Sequence, residues 1–190
     1  MVQWQEEIRR LWTDFLFWIR YYIISLMVGL QDFHYVASRV LRNATAFAVA
    51  FVAIYGETNA GRMGDLLVEH VLLLTSYVTA VRTGRDTEPV KAQWMENANQ
   101  LADFLSGLNP YWDKNAWMEL LQERFGLEER LILRLQQGNF LAAVNQFDAA
   151  HSNAERITSY MLRGIALQFG ENLPVQSGSM EQSGPDWAQL

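Results

Sequence analysis

The sequence predicts an all-α protein, an antiparallel bundle of about six helices grouped as three repeated helical hairpins. Three observations carry that expectation. Apolar residues recur three or four positions apart through most of the chain, with no alternating stretch of useful length. The 4 Pro and 12 Gly fall mostly between those periodic segments. Half of the 190 residues are hydrophobic, enough to bury one sizeable core.

The first helix is expected from Gln3 to Gly29, its buried stripe being Ile8, Trp12, Phe15, Ile19, Tyr22 and Leu26. After Gln31-Asp32 a second runs from Tyr35 to Tyr55 and stops at Gly56-Glu57-Thr58-Asn59. The third, Gly61 to Thr83, carries Met63, Leu67, His70, Leu74, Tyr77 and Val81 on one face. The fourth spans Glu88 to Leu108, with Pro89 in its first turn, where a missing N–H costs nothing. Its stripe is Val90, Trp94, Asn97, Leu101 and Leu105. The fifth, Lys114 to Gln137, presents Trp117, Leu121, Arg124, Leu131 and Leu135, with Glu128 interrupting. The sixth, Phe140 to Phe169, presents Val144, Phe147, His151, Ala154, Thr158, Met161 and Ile165. The joints are short, which favours antiparallel neighbours. Residues 1–170 read as one helical domain. Residues 171–190, with Ser177-Gly178-Ser179 and Ser183-Gly184-Pro185, read as a flexible tail in which Trp187 is a docking candidate.

Composition narrows the function classes. A net charge of -6, with 13 Arg and 2 Lys, argues against nucleic acid, which requires clustered positive charge. The absence of Cys removes disulfides, thiolate nucleophiles and Cys-ligated metals. The apolar run from Phe15 to Leu30 is 16 residues long and contains Arg20, where a spanning helix needs about 20 apolar residues. Glu6 and Glu7 stand where a signal peptide is basic. A cytoplasmic protein without a membrane partner is expected. No Gly-rich phosphate loop, nucleophile elbow or zinc-protease helix is present, so no catalytic residue is assigned.

A spacing of 54 underlies the hairpin expectation. Leu67, Glu69 and His70 correspond to Leu121, Glu123 and Arg124, while Phe15 lies 55 before His70. In the even helices Asn43, Asn97 and His151 follow each other at 54. Polar residues thus interrupt the apolar faces at equivalent heights. Buried, each unpartnered one would cost about 1–3 kcal/mol, so they are expected to satisfy one another or to draw on Glu69, Glu123 and Asp148. His70, Asn97, Arg124, His151 and Asn43 form a candidate polar layer. It either fixes helix register or binds a small polar or anionic ligand, with Arg124 as the counter-charge. The competing reading is an iron or zinc site of ferritin-like character. Asp148-x-x-His151 matches half of a paired carboxylate-x-x-His pattern, and His70 would complete a mononuclear site. A third reading is a homodimer that buries the aromatic first helix. Trp94, Trp112 and Trp117 with Tyr111 are expected around the Asn109-Pro110 joint, as a plug for the bundle end.

The chain also resembles a group of small, uncharacterised all-helical proteins of spore-forming Gram-positive bacteria over most of residues 11–169. The residues that carry the likeness are Leu11-Trp12 with Trp18 and Arg20, Leu41-Arg42-Asn43, Tyr55-Gly56 and Leu66-Leu67-Val68-Glu69-His70. Trp94 with Asn97-Ala98, Phe104-Leu105, Asn109-Pro110-Tyr111-Trp112, Gly164-Ile165 and Gln168-Phe169 continue it. The resemblance implies a His in each odd helix. Here His70 keeps it, while Phe15 and Arg124 stand at the other two positions, so a three-His site would be lost in this chain. No activity is implied. The functional expectation is a noncatalytic binding or interaction protein, with the metal-binding bundle as its alternative.

Overall fold

Six helical segments follow one another in the computed structural model, which describes residues 2–170 and, from Trp4 onward, their side chains. They are α1 (Val2–Val28), α2 (Phe33–Thr83), α3 (Glu88–Leu108), α4 (Lys114–Gln136), α5 (Phe140–Asn145) and α6 (Phe147–Phe169). No strand occurs among the described residues. The expected tail 171–190, including Trp187, lies outside them.

The all-helical expectation holds, but the divisions within it differ at two places. The Gly56-Glu57-Thr58-Asn59 joint is not a loop: helical geometry runs through it, and only Gly56 departs, at φ 77° and ψ 167°. That region is open essentially to glycine alone. The carbonyl of Tyr55 is capped instead by the Asn59 side chain, whose Nδ2 donates to it over 2.8 Å. The chain reverses there. Before the break, α2 runs antiparallel to α1, with Asn43 against Leu11 and Ala50 against Trp4. After it, α2 runs alongside α1, with His70 against Phe15, Thr75 against Tyr22 and Arg82 against Leu26.

The expected last helix is also divided. Gln146 stands between α5 and α6, and its buried amide explains the break: Nε2 donates to the carbonyl of Leu127, while Oε1 accepts from Arg134 Nη1 at 2.6 Å. Arg134 also donates to Ala142 O at 2.8 Å, tying the end of α5 to α4. By contrast α4 begins where its chemistry says it should, with the Asp113 carboxylate accepting from Ala116 N at 2.9 Å.

The core forms between α1, the second arm of α2 and α4. The outer helices pack against it, α3 across α2 and α4, and α6 across α1 and α4. Trp4–Val28 and Phe33–Thr83 are long and apolar enough to cross a membrane by length and composition, each with a mean hydropathy of 1.3 over its best window. Half of each window is buried inside the bundle, as in the core helices of any folded bundle.

The expected aromatic plug divides as well. Trp112 and Trp117 are buried together, their rings 5.6 Å apart and nearly perpendicular, with Tyr55 against Trp112 and Tyr160 against Trp117. Tyr111 is exposed at the surface. Trp94 belongs elsewhere, stacked on Phe125 at 5.2 Å in mid-bundle.

Candidate functional site

Arg124 and Glu128 stand four residues apart on α4 and therefore share a face. That face is otherwise apolar and turned inward, so both charges are buried, each about 5% exposed. They pair directly, Arg124 Nε donating to Glu128 Oε1 at 2.7 Å. From the second arm of α2, His70 Nε2 reaches to 3.1 Å from Glu128 Oε2. This approach lies off the line of a well-aligned hydrogen bond, so it is an electrostatic contact more than a directed one. On the far side of the ring, Trp94 Nε1 of α3 donates to His70 Nδ1 at 2.9 Å. A nitrogen that accepts carries no proton, so the ring proton sits on Nε2, facing Glu128. Trp94, His70, Glu128 and Arg124 thus form one chain across three helices.

Aromatic rings seal this chain. Phe125 lies 4.4 Å from the His70 ring and Phe15 lies 6.0 Å from it. Of the three positions that the internal spacing equates, Phe15 meets His70 directly and Arg124 is linked to it through Glu128. Burial alone would raise the Glu128 carboxyl, but the contacts with His70 and Arg124 outweigh it and hold the group below the ordinary carboxylate value. Arg124, whose guanidinium stays protonated, brings a full positive charge to the carboxylate.

The guanidinium of Arg124 is only partly used. Among the described residues its Nη1 and Nη2 have no hydrogen-bond partner, and the side chain lines a cavity of about 20 Å³ between α1, α4 and α6. Leu16, Ile19, Leu127 and Phe147 wall the cavity, and a second cation, Arg20 of α1, lines it too. Arg20 donates through Nη1 to Ala143 O at 3.2 Å, and its guanidinium carbon lies 5.3 Å over the Phe147 ring. Burial pushes the Arg20 guanidinium below its usual value. Arg20 and Phe147 also line an outer cleft of about 380 Å³, completed by Phe17, Val144, Asn145 and Asp148. The two side chains are common to both compartments.

The remaining expected site residues are placed elsewhere. The buried amides of Asn43 and Asn97 staple helix pairs: Asn43 Nδ2 donates to Leu11 O at 3.4 Å, and Asn97 Nδ2 to Leu66 O at 3.1 Å and to Glu69 Oε2 at 3.2 Å. The third staple is Asn153 and not His151, with Nδ2 donating to Leu120 O at 3.1 Å and to Glu123 Oε2 at 3.2 Å. His151 lies at the surface, its side chain 44% exposed and 3.9 Å from Glu155. Glu69 and Glu123, expected near His70 or Arg124, serve the Asn staples, and Glu123 also pairs with Arg156. Asp148 is exposed at the outer cleft. The proposed ligand set His70, Asp148 and His151 is therefore not gathered, and no group of three or more His, Asp or Glu among the described residues is arranged to hold a metal ion.

The staples carry a graded expectation. Asn97→Ala and Asn153→Ala each remove two hydrogen bonds at a buried position and should cost about 1–2 kcal/mol, whereas Asn43→Ala removes one long bond and should cost less. Urea melts of the three variants measure the order, and an Asn43→Ala loss as large as the others would contradict it.

Two members of the site had only a weak signal in the sequence. Glu128 was visible as the residue four after Arg124 on an apolar stripe, and Arg20 as the one charge within a 16-residue apolar run. Neither spacing names its partner. Comparison with family models, with curated proteins and with solved structures finds no match for the chain.

Proposed function

We propose that the protein is a noncatalytic binding protein whose ligand carries a small monoanionic group, received in the cavity between Arg20 and Arg124. One observation carries this reading: two guanidinium groups, each with donors unused among the described residues, line a single small cavity that contains one carboxylate, Glu128. Two cations against one anion leave one positive charge beside apolar walls, and a monoanion would neutralise it. Guanidinium suits the task because its planar donors match an oxygen anion in two places. The chain from Glu128 through His70 to Trp94 is the support that holds Arg124 in orientation. His70, Asn97, Asn43 and His151 fall outside this ligand set.

The test is thermal denaturation with sodium acetate, formate, nitrate and chloride at matched ionic strength, on the native chain and on Arg20→Gln. A monoanion at one hundred times its Kd should stabilise by about 2.7 kcal/mol, which for a chain of this size is roughly 5–10 °C in Tm. Arg20→Gln should remove most of that shift. Equal shifts in both proteins, or no shift with any of the four anions, would overturn the reading.

The Asn staples also support an origin by hairpin duplication. Asn43, Asn97 and Asn153 each donate to a carbonyl four residues before Phe15, His70 and Arg124 respectively, and each leaves its Oδ1 buried without a partner. An acidic residue stands three after each acceptor: Asp14, Glu69 and Glu123. The proposed repeat is thus Leu-x-x-acid in an inner helix with Asn in the outer one, and superposition of the three hairpins on these residues tests it.

A further inference from the structure

We infer that the ligand is an alkyl monocarboxylate, with its head at Arg20 and Arg124 and its chain in the outer cleft; this rests on the anion reading above. The inner cavity, at about 20 Å³, has room for one water-sized group. A single carboxylate oxygen fits there. The second oxygen would stay at Arg20, which lines both compartments.

From Arg20 outward the surroundings change character. The outer cleft holds about 380 Å³, in the range of small-molecule sites, and its lining includes Phe17, Val144 and Phe147. Phe17 and Val144 are half-exposed or more, although large apolar side chains gain by burial. Beside them α5 turns Phe140 and Leu141 to solvent. A cation beside exposed apolar side chains is complementary to an anionic head on an apolar chain. Asn145 and Asp148 are the other lining residues. Asp148 is exposed, so solvent screens its negative charge, and it disfavours dianions more than monoanions.

The experiment is calorimetric titration of the full chain with acetate, butyrate, hexanoate and octanoate below their self-association concentrations, with inorganic phosphate and octylamine as further probes. Affinity should rise about twofold to fourfold per methylene as the chain is buried. Phe17→Ser should bring octanoate affinity down toward the acetate value, and Arg20→Gln should weaken every carboxylate. Octylamine and phosphate should bind at least tenfold more weakly than octanoate. Equal affinity for acetate and octanoate, or phosphate binding as tightly as octanoate, would overturn the alkyl assignment and leave the anion site standing. Octylamine equal to octanoate, with no effect of Arg20→Gln, would mean an apolar surface without a charge requirement and would overturn both. So would the absence of binding by every carboxylate.

Discussion

Glu128→Ala is expected to lower the stability of the bundle by about 3–5 kcal/mol, roughly 6–20 °C in Tm for a chain of this size. The substitution leaves Arg124 buried without its anion, and a guanidinium cannot shed its proton to escape that position. It also leaves His70 Nε2 facing a void. The reverse substitution, Arg124→Leu, should cost much less, because a carboxyl left alone can take up a proton and become neutral. The double variant Arg124→Leu/Glu128→Leu should lie close to the native chain, since apolar residues of similar size replace a buried pair at little net cost. Denaturant melts of the native chain and the three variants make the comparison, and a Glu128→Ala loss no larger than that of Arg124→Leu would show that the pair is hydrated and not buried.

The same carboxyl makes stability depend on acid. Its folded value is depressed, so its contribution is fully present above the ordinary carboxylate value of 4.5 and is lost as pH falls below that through the lower folded value. The native chain should therefore lose stability across that interval more steeply than the double Leu variant, in melts taken from pH 6 downward.

The all-helical architecture was legible because the apolar period and the joint chemistry agree. Pro89 in the first turn of α3 marks a start that the structure keeps. The divisions were harder to read. Gly56-Glu57-Thr58-Asn59 has loop composition, yet one glycine suffices to reverse the chain, so helical geometry continues on both sides. Gln146 lies within an unbroken amphipathic pattern, and what makes it a break is a carbonyl of Leu127 nineteen residues away. Within the site, the grouping of Phe15 with His70, and of Arg124 through Glu128, was readable in part from the 54-residue spacing. The partner of Arg124 was not, because Glu123 is adjacent in sequence. Consecutive helical residues diverge by about 100°, so Glu123 turns to Asn153 and Arg156 while Glu128 lies beneath Arg124. The spacing from Asn97 to the third staple is 56 and not 54, since the break at Gln146 shifts the phase of α6 and moves the role from His151 to Asn153.

Gly164→Ala is expected to cost at least about 3 kcal/mol, the top of the usual overpacking range, although alanine favours helix by about 1 kcal/mol over glycine. A Cβ at position 164 would fall within the Trp112 indole, meeting Nε1 and Cδ1 below contact distance and Cε2 at 2.9 Å. The ring has nowhere to go. It is 2% exposed, and Trp117 and Tyr55 hold its other sides at 5.6 and 5.8 Å between centroids. Its Nε1 is buried without an acceptor, so shape and not a hydrogen bond keeps it against α6. Relief must come from α6 moving outward, which would draw the fully buried Met161 and Ile165 from the core. Trp112→Ala alone should cost about 3–5 kcal/mol through the cavity it leaves. In Gly164→Ala/Trp112→Ala the added methyl enters that cavity, so the double variant should be more stable than the sum of the singles by about 1 kcal/mol or more. Additive losses, or a Gly164→Ala protein as stable as the native chain, would show that the helix and the indole do not meet as closely as their placement requires.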